Sequence, residues 1–259
     1  MIRRLWEYRH LVLSLVRRQY QLRYRQSLVG YSWAILPPLA SLLVATIVFH
    51  GVIGVDSPDS RVPYSLFTLA ALTPWTFFAQ SLGSAIPSIV TSMQMVTRLP
   101  FPRASLPLSM IGTTLIDLAI SVVAFVVFAI VIGNGVPATA VWFPLILALE
   151  TLLIVGVVLL TSALNVFIRD IRIAVPLVTQ LWLFLTPVMY PLESVPAQLR
   201  PLYLANPMTG IVEASREVLA YGRPPSPELL LPAAIGAVLA LAAGISYFSA
   251  TESRFADAV

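Results

Sequence analysis

Long runs without a charged residue alternate along this chain with short polar or basic segments. The first such run extends from Gln26 to Val55, and about 20 apolar residues suffice to cross a bilayer as a helix. Similar runs recur to the end of the chain. They predict an all-α, polytopic membrane protein that forms one transmembrane domain over residues 1–259, with six spans at residues 33–55, 64–90, 106–132, 140–168, 173–190 and 229–251.

A basic segment precedes the first predicted span. Within residues 1–30, apolar side chains recur at every fourth position, at Val12, Val16, Tyr20, Tyr24 and Leu28. This spacing is typical of an amphipathic helix in the membrane interface. Because positively charged residues beside a span stay on the cytoplasmic side, we predict a cytoplasmic interface helix here.

The connection between the fifth and sixth spans, residues 191–228, is too long for a turn and too apolar for a solvated loop. Its middle has a helical pattern, with Ile211, Ser215 and Val218 on one face and Glu213, Arg216 and Glu217 toward another. We predict a short helical element that is re-entrant or lies at the outer interface, where protein or water must cover its backbone ends.

The composition agrees with this class and excludes several functions. Hydrophobic residues make up 58% of the chain, charged residues 11%, and the mean hydropathy is +0.86, far from the soluble average. All 16 basic residues are Arg, so the chain lacks the Lys that a P-loop requires. The absence of Cys excludes disulfides and thiolate chemistry. His10 and His50 lie too far apart in the predicted topology to share a metal site, so we expect no metal and no catalytic residue on this chain.

The distribution of Arg supports six spans with both termini in the cytoplasm. Positive residues accumulate in cytoplasmic segments of membrane proteins. Twelve Arg lie in segments predicted to be cytoplasmic and four in external ones. The cytoplasmic set is Arg3, Arg4, Arg9, Arg17, Arg18, Arg23, Arg25, Arg98, Arg103, Arg169, Arg172 and Arg254, and the external set is Arg61, Arg200, Arg216 and Arg223.

Six stretches resemble, in the same order, the membrane subunits of ABC exporters for lipid-linked polysaccharides and teichoic acids, including those for O-antigen, capsule and galactan. The stretches are RRQYQLRYRQSLVGYSWAILPPL, LTPWTFFAQSL, VTRLPFPRASLPLS, ALNVFIRDIRIAVPLVTQLWLFLTPVMYP, ANPMTGIVEASREVLAYG and ESRFADAV. The resemblance implies a homodimer in the bacterial inner membrane, paired with two copies of a separate P-loop ATPase that binds ATP and Mg²⁺. It implies a polyprenyl-linked polysaccharide as substrate, contact with membrane lipid, and no nucleic-acid partner.

The loop from Gln94 to Arg103 is the predicted contact with that ATPase. It comprises Arg98, Leu99, Pro100, Phe101, Pro102 and Arg103, in which two prolines stiffen an element that carries Phe101 between two charges. Aromatic and Arg side chains often anchor interfaces. The alternative is that both Arg residues anchor helix ends at lipid headgroups. Arg169 and Asp170 are a second candidate contact, or a local ion pair at a helix end.

Four Arg of the interface helix are candidates for the substrate headgroup, because guanidinium groups bind phosphate bidentately. They are Arg17, Arg18, Arg23 and Arg25. The alternative is attraction to anionic lipid, which contributes about 1 kcal/mol per residue.

Two carboxyl groups lie within predicted spans. Ionisable groups there are expensive and suggest function, so Asp117 and Glu150 could form a proton path. The sequence shows no basic partner inside the spans, and we favour a structural role as hydrogen-bonding groups between helices.

Aromatic side chains are candidates for the lining of a polysaccharide channel, because their faces stack on sugars. They are Tyr31, Trp33, Trp75, Phe77, Phe78, Trp182, Phe184 and Tyr190. The alternative for each of these side chains is a role in helix packing or in the aromatic belt at the membrane interface.

Three other functions remain open from the sequence. An ABC permease for a drug, haem or small lipid would share the fold, and a proton-coupled secondary transporter would use Asp117 or Glu150. A membrane glycosyltransferase or phosphatase would need clustered acids or His residues, which the sequence does not show.

Overall fold

The structure, a computed structural model, describes residues 6–24, 32, 35–98 and 101–256. Within these ranges the regular elements are all helical, so the predicted all-α class is confirmed. The helices are α1 (Arg9–Tyr24), α2 (Leu36–Ala45), α3 (Tyr64–Ala85), α4 (Ser88–Thr91), α5 (Met93–Arg98), α6 (Ser105–Val131), α7 (Phe143–Phe167), α8 (Asp170–Leu185), α9 (Arg200–Ala205), α10 (Pro207–Leu219) and α11 (Pro227–Thr251).

Three helical segments among the described residues are long and apolar enough to cross a membrane: Ser105–Val131, Ala138–Phe167 and Pro227–Phe255. They correspond to the third, fourth and sixth predicted spans. A shorter apolar helix, Leu36–Val52, occupies the region of the first predicted span. Its second half is a π-helix from Thr46 to Val52.

Helix α3 corresponds to the second predicted span but is more polar than the helices of the third, fourth and sixth. Most of its 22 residues are buried by neighbouring helices, and some of its hydroxyl groups bond to those helices. Ser81, for example, shares a 2.7 Å hydrogen bond with Thr114 of α6. Pro74 lies within the helix, and α3 ends at Ala85, shortly before Pro87.

Contacts between helix ends define two ends of the molecule, which we call the Phe255 end and the Arg216 end. Helix α6 begins at the Phe255 end, where Arg103 bonds to Glu252, and finishes at the Arg216 end, where Thr139 bonds to the carbonyl of Val218. Helix α7 runs back. Helix α8 then returns to the Arg216 end, where Trp182 bonds to Asn206, and α11 runs back to the Phe255 end. Helices α6 and α8 therefore run in one direction, and α7 and α11 run in the opposite direction.

Small residues bring α7 and α11 into close contact. A Cβ atom at Gly156 would overlap the backbone of Ala240 and Leu241, and one at Gly244 would overlap the backbone of Gly156. Close approach through small residues is the usual packing mode of helices in membranes, where lipid supplies no hydrophobic drive between them.

The connection between the third and fourth predicted spans is a glycine turn. Gly133 and Gly135 both have positive φ, at 78° and 68°, a conformation that glycine adopts without steric cost. They end α6 and lead into a 3₁₀ helix at Ala138–Trp142.

Candidate functional site

The predicted coupling loop is half helical. Its first residues form α5, which ends at Arg98, while Leu99 and Pro100 lie outside the described residues. Phe101 and Pro102 are half-buried. Phe101 packs against a cluster of buried apolar side chains at the Phe255 end, so only part of this ring is open to a partner.

Arg103 and Glu252 hold each other by reciprocal hydrogen bonds. The backbone N–H of Arg103 donates to Glu252 Oε1 at 2.9 Å, and the Arg103 guanidinium donates to the backbone carbonyl of Glu252. Glu252 begins a 3₁₀ helix, Glu252–Ala256, which we call the C-terminal segment. The positive group predicted for partner contact is thus engaged with the end of its own chain.

Phe255 fixes the C-terminal segment on its other side. Its side chain is fully buried and meets Phe248 edge to face, with ring centroids 5.3 Å apart. It also meets Phe167, the last residue of α7, at 6.0 Å. Edge-to-face aromatic pairs of this kind stabilise by about 0.5–1.5 kcal/mol beyond their burial.

Arg169 and Asp170 follow Phe167 after Ile168 and are exposed, and half of the Ile168 side chain is exposed as well. The sequence predicted two separate ATPase contacts, the loop that ends at Arg103 and the pair Arg169 and Asp170. In the fold the C-terminal segment touches both regions, at Arg103 and at Phe167. Sequence reasoning assigned no role to Glu252 or Phe255. The available signal was a phenylalanine within an otherwise polar tail.

The four Arg of the predicted headgroup site do not act alike. Arg17 and Arg18 are exposed, and Arg25 lies outside the described residues. Arg23 crosses to α6, where Nη1 lies 2.7 Å from Asp117 Oδ2. The Arg23 side chain keeps 40% of its exposure, whereas that of Asp117 keeps 4%. The expectation that Asp117 lacks a basic partner is therefore wrong, because α1 packs along α6 rather than only beside the membrane.

A cavity of about 330 Å³ at this ion pair is lined by Gln19, Leu22, Arg23, Ser84, Met110 and Thr113. A separate open groove of about 730 Å³ lies between the start of α2 and α6 and is lined only by apolar side chains that include Leu39, Ile116 and Val127. The cavity thus combines a cation with polar and apolar side chains, and Ile116 of the groove directly precedes Asp117 in the sequence.

Glu150 lies in a different environment. Its side chain is fully buried in α7, and within the described part of the chain neither carboxyl oxygen has a hydrogen-bond partner. The predicted hydrogen bonds to neighbouring helices are therefore absent for Glu150 in this part, whereas Asp117 has an ion pair.

The aromatic side chains predicted to line a channel fall into a buried group and a partly exposed group. Trp75, Phe77 and Phe78 are buried among helices of the same chain, which argues against a place in a channel between two chains. Trp182 packs edge-on against Phe78 at 5.1 Å. Phe184 is 53% exposed. Tyr190 is half-buried and donates a hydrogen bond to the carbonyl of Phe184, and Tyr31 and Trp33 lie outside the described residues.

Sequence reasoning did not predict the buried polar site at the Arg216 end. Arg216, placed on a polar face by the sequence pattern, has no exposed surface. Its guanidinium donates to Glu213 Oε1 at 2.6 Å, to the Val188 carbonyl at 2.7 Å and to two other carbonyls, and it lies 3.7 Å from the centre of the Phe67 ring. Burial raises the pKa of Glu213 to about 7, while the adjacent Arg216 acts in the opposite direction.

No group of three His, Asp or Glu side chains suited to a metal ion occurs in residues 6–24, 32, 35–98 and 101–256. His50 instead lies 2.8 Å from Asp56 and stacks on Tyr64. In the described residues the candidate sites are therefore built from ion pairs, hydrogen bonds and apolar surfaces.

Comparison with known proteins agrees with a transport role. The family described as ABC-2 type transporter matches residues 10–220, which is most of the chain. The chain belongs to this family of ABC transporter membrane proteins, and the resemblance seen in the six sequence stretches is confirmed.

Similar proteins within this family carry export names. The O-antigen export system permease protein RfbA of Myxococcus xanthus is 30% identical over 261 aligned positions, which cover 100% of this chain and 99% of that protein. A Klebsiella pneumoniae protein of the same name is 27% identical, covering 95% and 94%. The polysialic acid transport protein KpsM of Escherichia coli is 25% identical, covering 82% and 81%.

Proposed function

We propose that this chain is the permease subunit of an ATP-driven exporter that moves lipid-linked polysaccharide across the bacterial inner membrane. The observation that carries the proposal is the match over essentially the whole length to a permease named for O-antigen export. The similarity to a polysialic acid transport protein also supports a polysaccharide as the substrate. The reaction is transport, and the chain itself is not an enzyme.

The proposed topology has six spans with both termini in the cytoplasm. The Phe255 end carries the C-terminal segment and the first half of α1, together with exposed Arg169, Arg172 and Arg254. An end that is rich in Arg is expected to face the cytoplasm. The predicted element between spans five and six corresponds to α9 and α10, which lie at the Arg216 end and would face outward.

A second copy of the chain is the proposed partner across the channel. Helix α8 buries none of its residues in the single chain, yet it exposes six large apolar side chains: Ile173, Leu177, Val178, Leu181, Phe184 and Leu185. Extended apolar surfaces of this kind meet lipid or another protein. We place part of α8 against the second protomer, with Phe184 and Tyr190 as the remaining described candidates for the lining.

Energy must come from a separate subunit, because a chain without Lys cannot supply the P-loop lysine. In this proposal two P-loop ATPase subunits bind ATP and Mg²⁺ and dock at the Phe255 end. Their contact includes the loop Arg98, Leu99, Pro100, Phe101, Pro102 and Arg103, together with Arg169 and Asp170.

The substrate headgroup is proposed to bind beside α1. Arg23 is partly exposed and lines the cavity with Gln19 and Thr113, so a pyrophosphate could replace Asp117 as its partner. The apolar groove suits the polyprenyl chain. Arg17, Arg18 and Arg25 would attract the same anion, or anionic lipid, from the surface.

Purification from native membranes in mild detergent tests the proposal. We expect a P-loop ATPase in a 1:1 ratio with this chain, and hydrolysis that rises when lipid-linked polysaccharide is added. The polyprenyl phosphate without the glycan is the matched control for the lipid itself. Stimulation by a drug or haem instead would assign a different cargo to the same fold.

A chain that purifies alone and moves solute along a proton gradient would contradict the proposal. That alternative depends on Asp117 or Glu150. Since Asp117 forms an ion pair with Arg23, Glu150 is the carboxyl on which such a mechanism would chiefly rest.

A further inference from the structure

We propose that the C-terminal segment, Glu252–Ala256, is a coupling element that makes the two ATPase contacts move as one body. This inference rests on the proposed function. It concerns residues outside the region 10–220 matched by the family, and it gives Glu252 and Phe255 the role of positioning residues.

The first step is the link to the loop before α6. Two hydrogen bonds join Arg103 and Glu252 in opposite senses, one through the side chain of each residue and the backbone of the other. Two bonds between the same pair of residues fix both distance and direction. The turn after Pro102 therefore cannot move far from the end of α11 without breaking them.

The second step is the link to the end of α7. Phe255 is fully enclosed between Phe248 of α11 and Phe167. Phe167 directly precedes the exposed stretch Ile168–Asp170 that begins α8. Closely packed interiors transmit displacement rather than absorb it, so a push on this stretch reaches Phe255.

The third step is the surrounding cluster. Side chains from α1, α4, α5, α7 and α11 converge on the same apolar cluster as Phe255, including Leu15, Val96 and Val166. The segment closes this cluster on the outside, where Ser253 and Arg254 are exposed. Without the C-terminal segment, the loop before α6 and the end of α7 would lack these contacts. Each could then move independently when the ATPase moves.

The test compares Glu252→Ala with Glu252→Gln in the co-purified complex with its ATPase. Gln keeps the oxygen that accepts the Arg103 N–H, and Ala removes it. For Glu252→Ala we expect unchanged ATPase binding and near-normal hydrolysis, but about fivefold less polysaccharide exported per ATP, the scale of one lost hydrogen bond. Glu252→Gln and the exposed Ser253→Ala should retain the normal ratio.

A cross-link that restores the lost connection should also restore export per ATP, which a merely structural role of the segment would not predict. The chain has no Cys, so Phe167→Cys with Phe255→Cys, at positions whose rings lie 6.0 Å apart, creates a unique thiol pair for a short bifunctional maleimide and leaves the proposed ATPase contact unaltered. We expect low export per ATP before cross-linking and recovery afterwards. This double variant also decides the question if Glu252→Ala fails to assemble.

The outcomes separate the inference from the proposed function. A wild-type chain without an ATPase partner, or without polysaccharide-dependent hydrolysis, would contradict the proposed function itself. A wild-type complex that exports normally, with Glu252→Ala exporting equally per ATP, would overturn only the inference. The same holds if cross-linking leaves export per ATP unchanged.

Discussion

Two arginines at different depths of this molecule form ion pairs of very different character. Arg216 meets Glu213 three residues away on the same helix, and its side chain has no exposure. Arg23 meets Asp117, which lies 94 residues further along the chain, and it remains 40% exposed. The first pair is closed on all sides, whereas the second borders a cavity.

This difference in burial indicates which arginine is able to exchange its carboxylate for another anion. Four hydrogen bonds and the Phe67 ring surround the Arg216 guanidinium, so any movement would leave several buried groups unsatisfied. Arg23 has an open side toward Gln19 and Thr113. We therefore expect Arg216 to govern stability and Arg23 to govern transport, and the following variants test this division in order of expected effect.

Arg216→Met should produce the largest loss of stability. Removing one partner of a buried pair leaves the other uncompensated and typically costs about 3–5 kcal/mol. Thermal unfolding in detergent, followed by loss of monodisperse protein, measures the change. Arg223→Gln is the control, because Arg223 is 69% exposed and lies 3.9 Å from Asp59. Equal melting of the two variants would contradict a structural role for Arg216.

Arg23→Gln should cost less stability than Arg216→Met and should reduce export. Arg23 keeps 40% of its exposure while Asp117 keeps 4%, so the stability loss lies below the ~3–5 kcal/mol of a fully buried pair, whereas a lost phosphate contact of about 1.4 kcal/mol weakens headgroup binding tenfold. Export by the reconstituted complex and binding of polyprenyl pyrophosphate measure the effect. The exposed Arg17→Gln provides the matched loss of charge, and an equal decrease in both variants would favour general attraction to anionic lipid.

Asp117→Asn should have a smaller effect in the opposite direction. Asn keeps an oxygen for the Arg23 guanidinium but removes the competing negative charge. We expect binding of polyprenyl pyrophosphate to be unchanged or up to about tenfold tighter, with a stability loss within ~1 kcal/mol. Weaker binding in a well-folded Asp117→Asn variant would mean that the ion pair itself, and not the Arg23 guanidinium alone, forms the site.

Glu150→Gln should have the smallest effect on transport. Gln has almost the same shape, and no described group pairs with the Glu150 carboxyl oxygens, so no contact depends on its charge. We expect export within about twofold of wild type, less than the change caused by one hydrogen bond. Loss of export, or of dependence on a proton gradient, would support the proton-coupled alternative.

Several elements were predictable because one local property determines each of them. Uncharged runs predicted the long helices at Ser105–Val131, Ala138–Phe167 and Pro227–Phe255, since burying backbone polar groups in lipid requires a helix. The basic segment with apolar side chains at every fourth position predicted α1. The polar character of α3, by contrast, is explained only by its burial among other helices.

The sequence by itself determined the class of protein. Its uncharged lengths, its lack of Lys and Cys, and its ordered family stretches depend on residue identity along the chain. Tertiary structure alone decided which charges meet: Arg23 with Asp117, Arg103 with Glu252, and Arg216 with the carbonyls of Val188 and Tyr190. These partners lie 26 to 149 residues apart, and no local period records such a distance. Packing of helices sets this distance, because a shift of one helical turn in α1, α10 or α11 would exchange the neighbours of the residues on that helix.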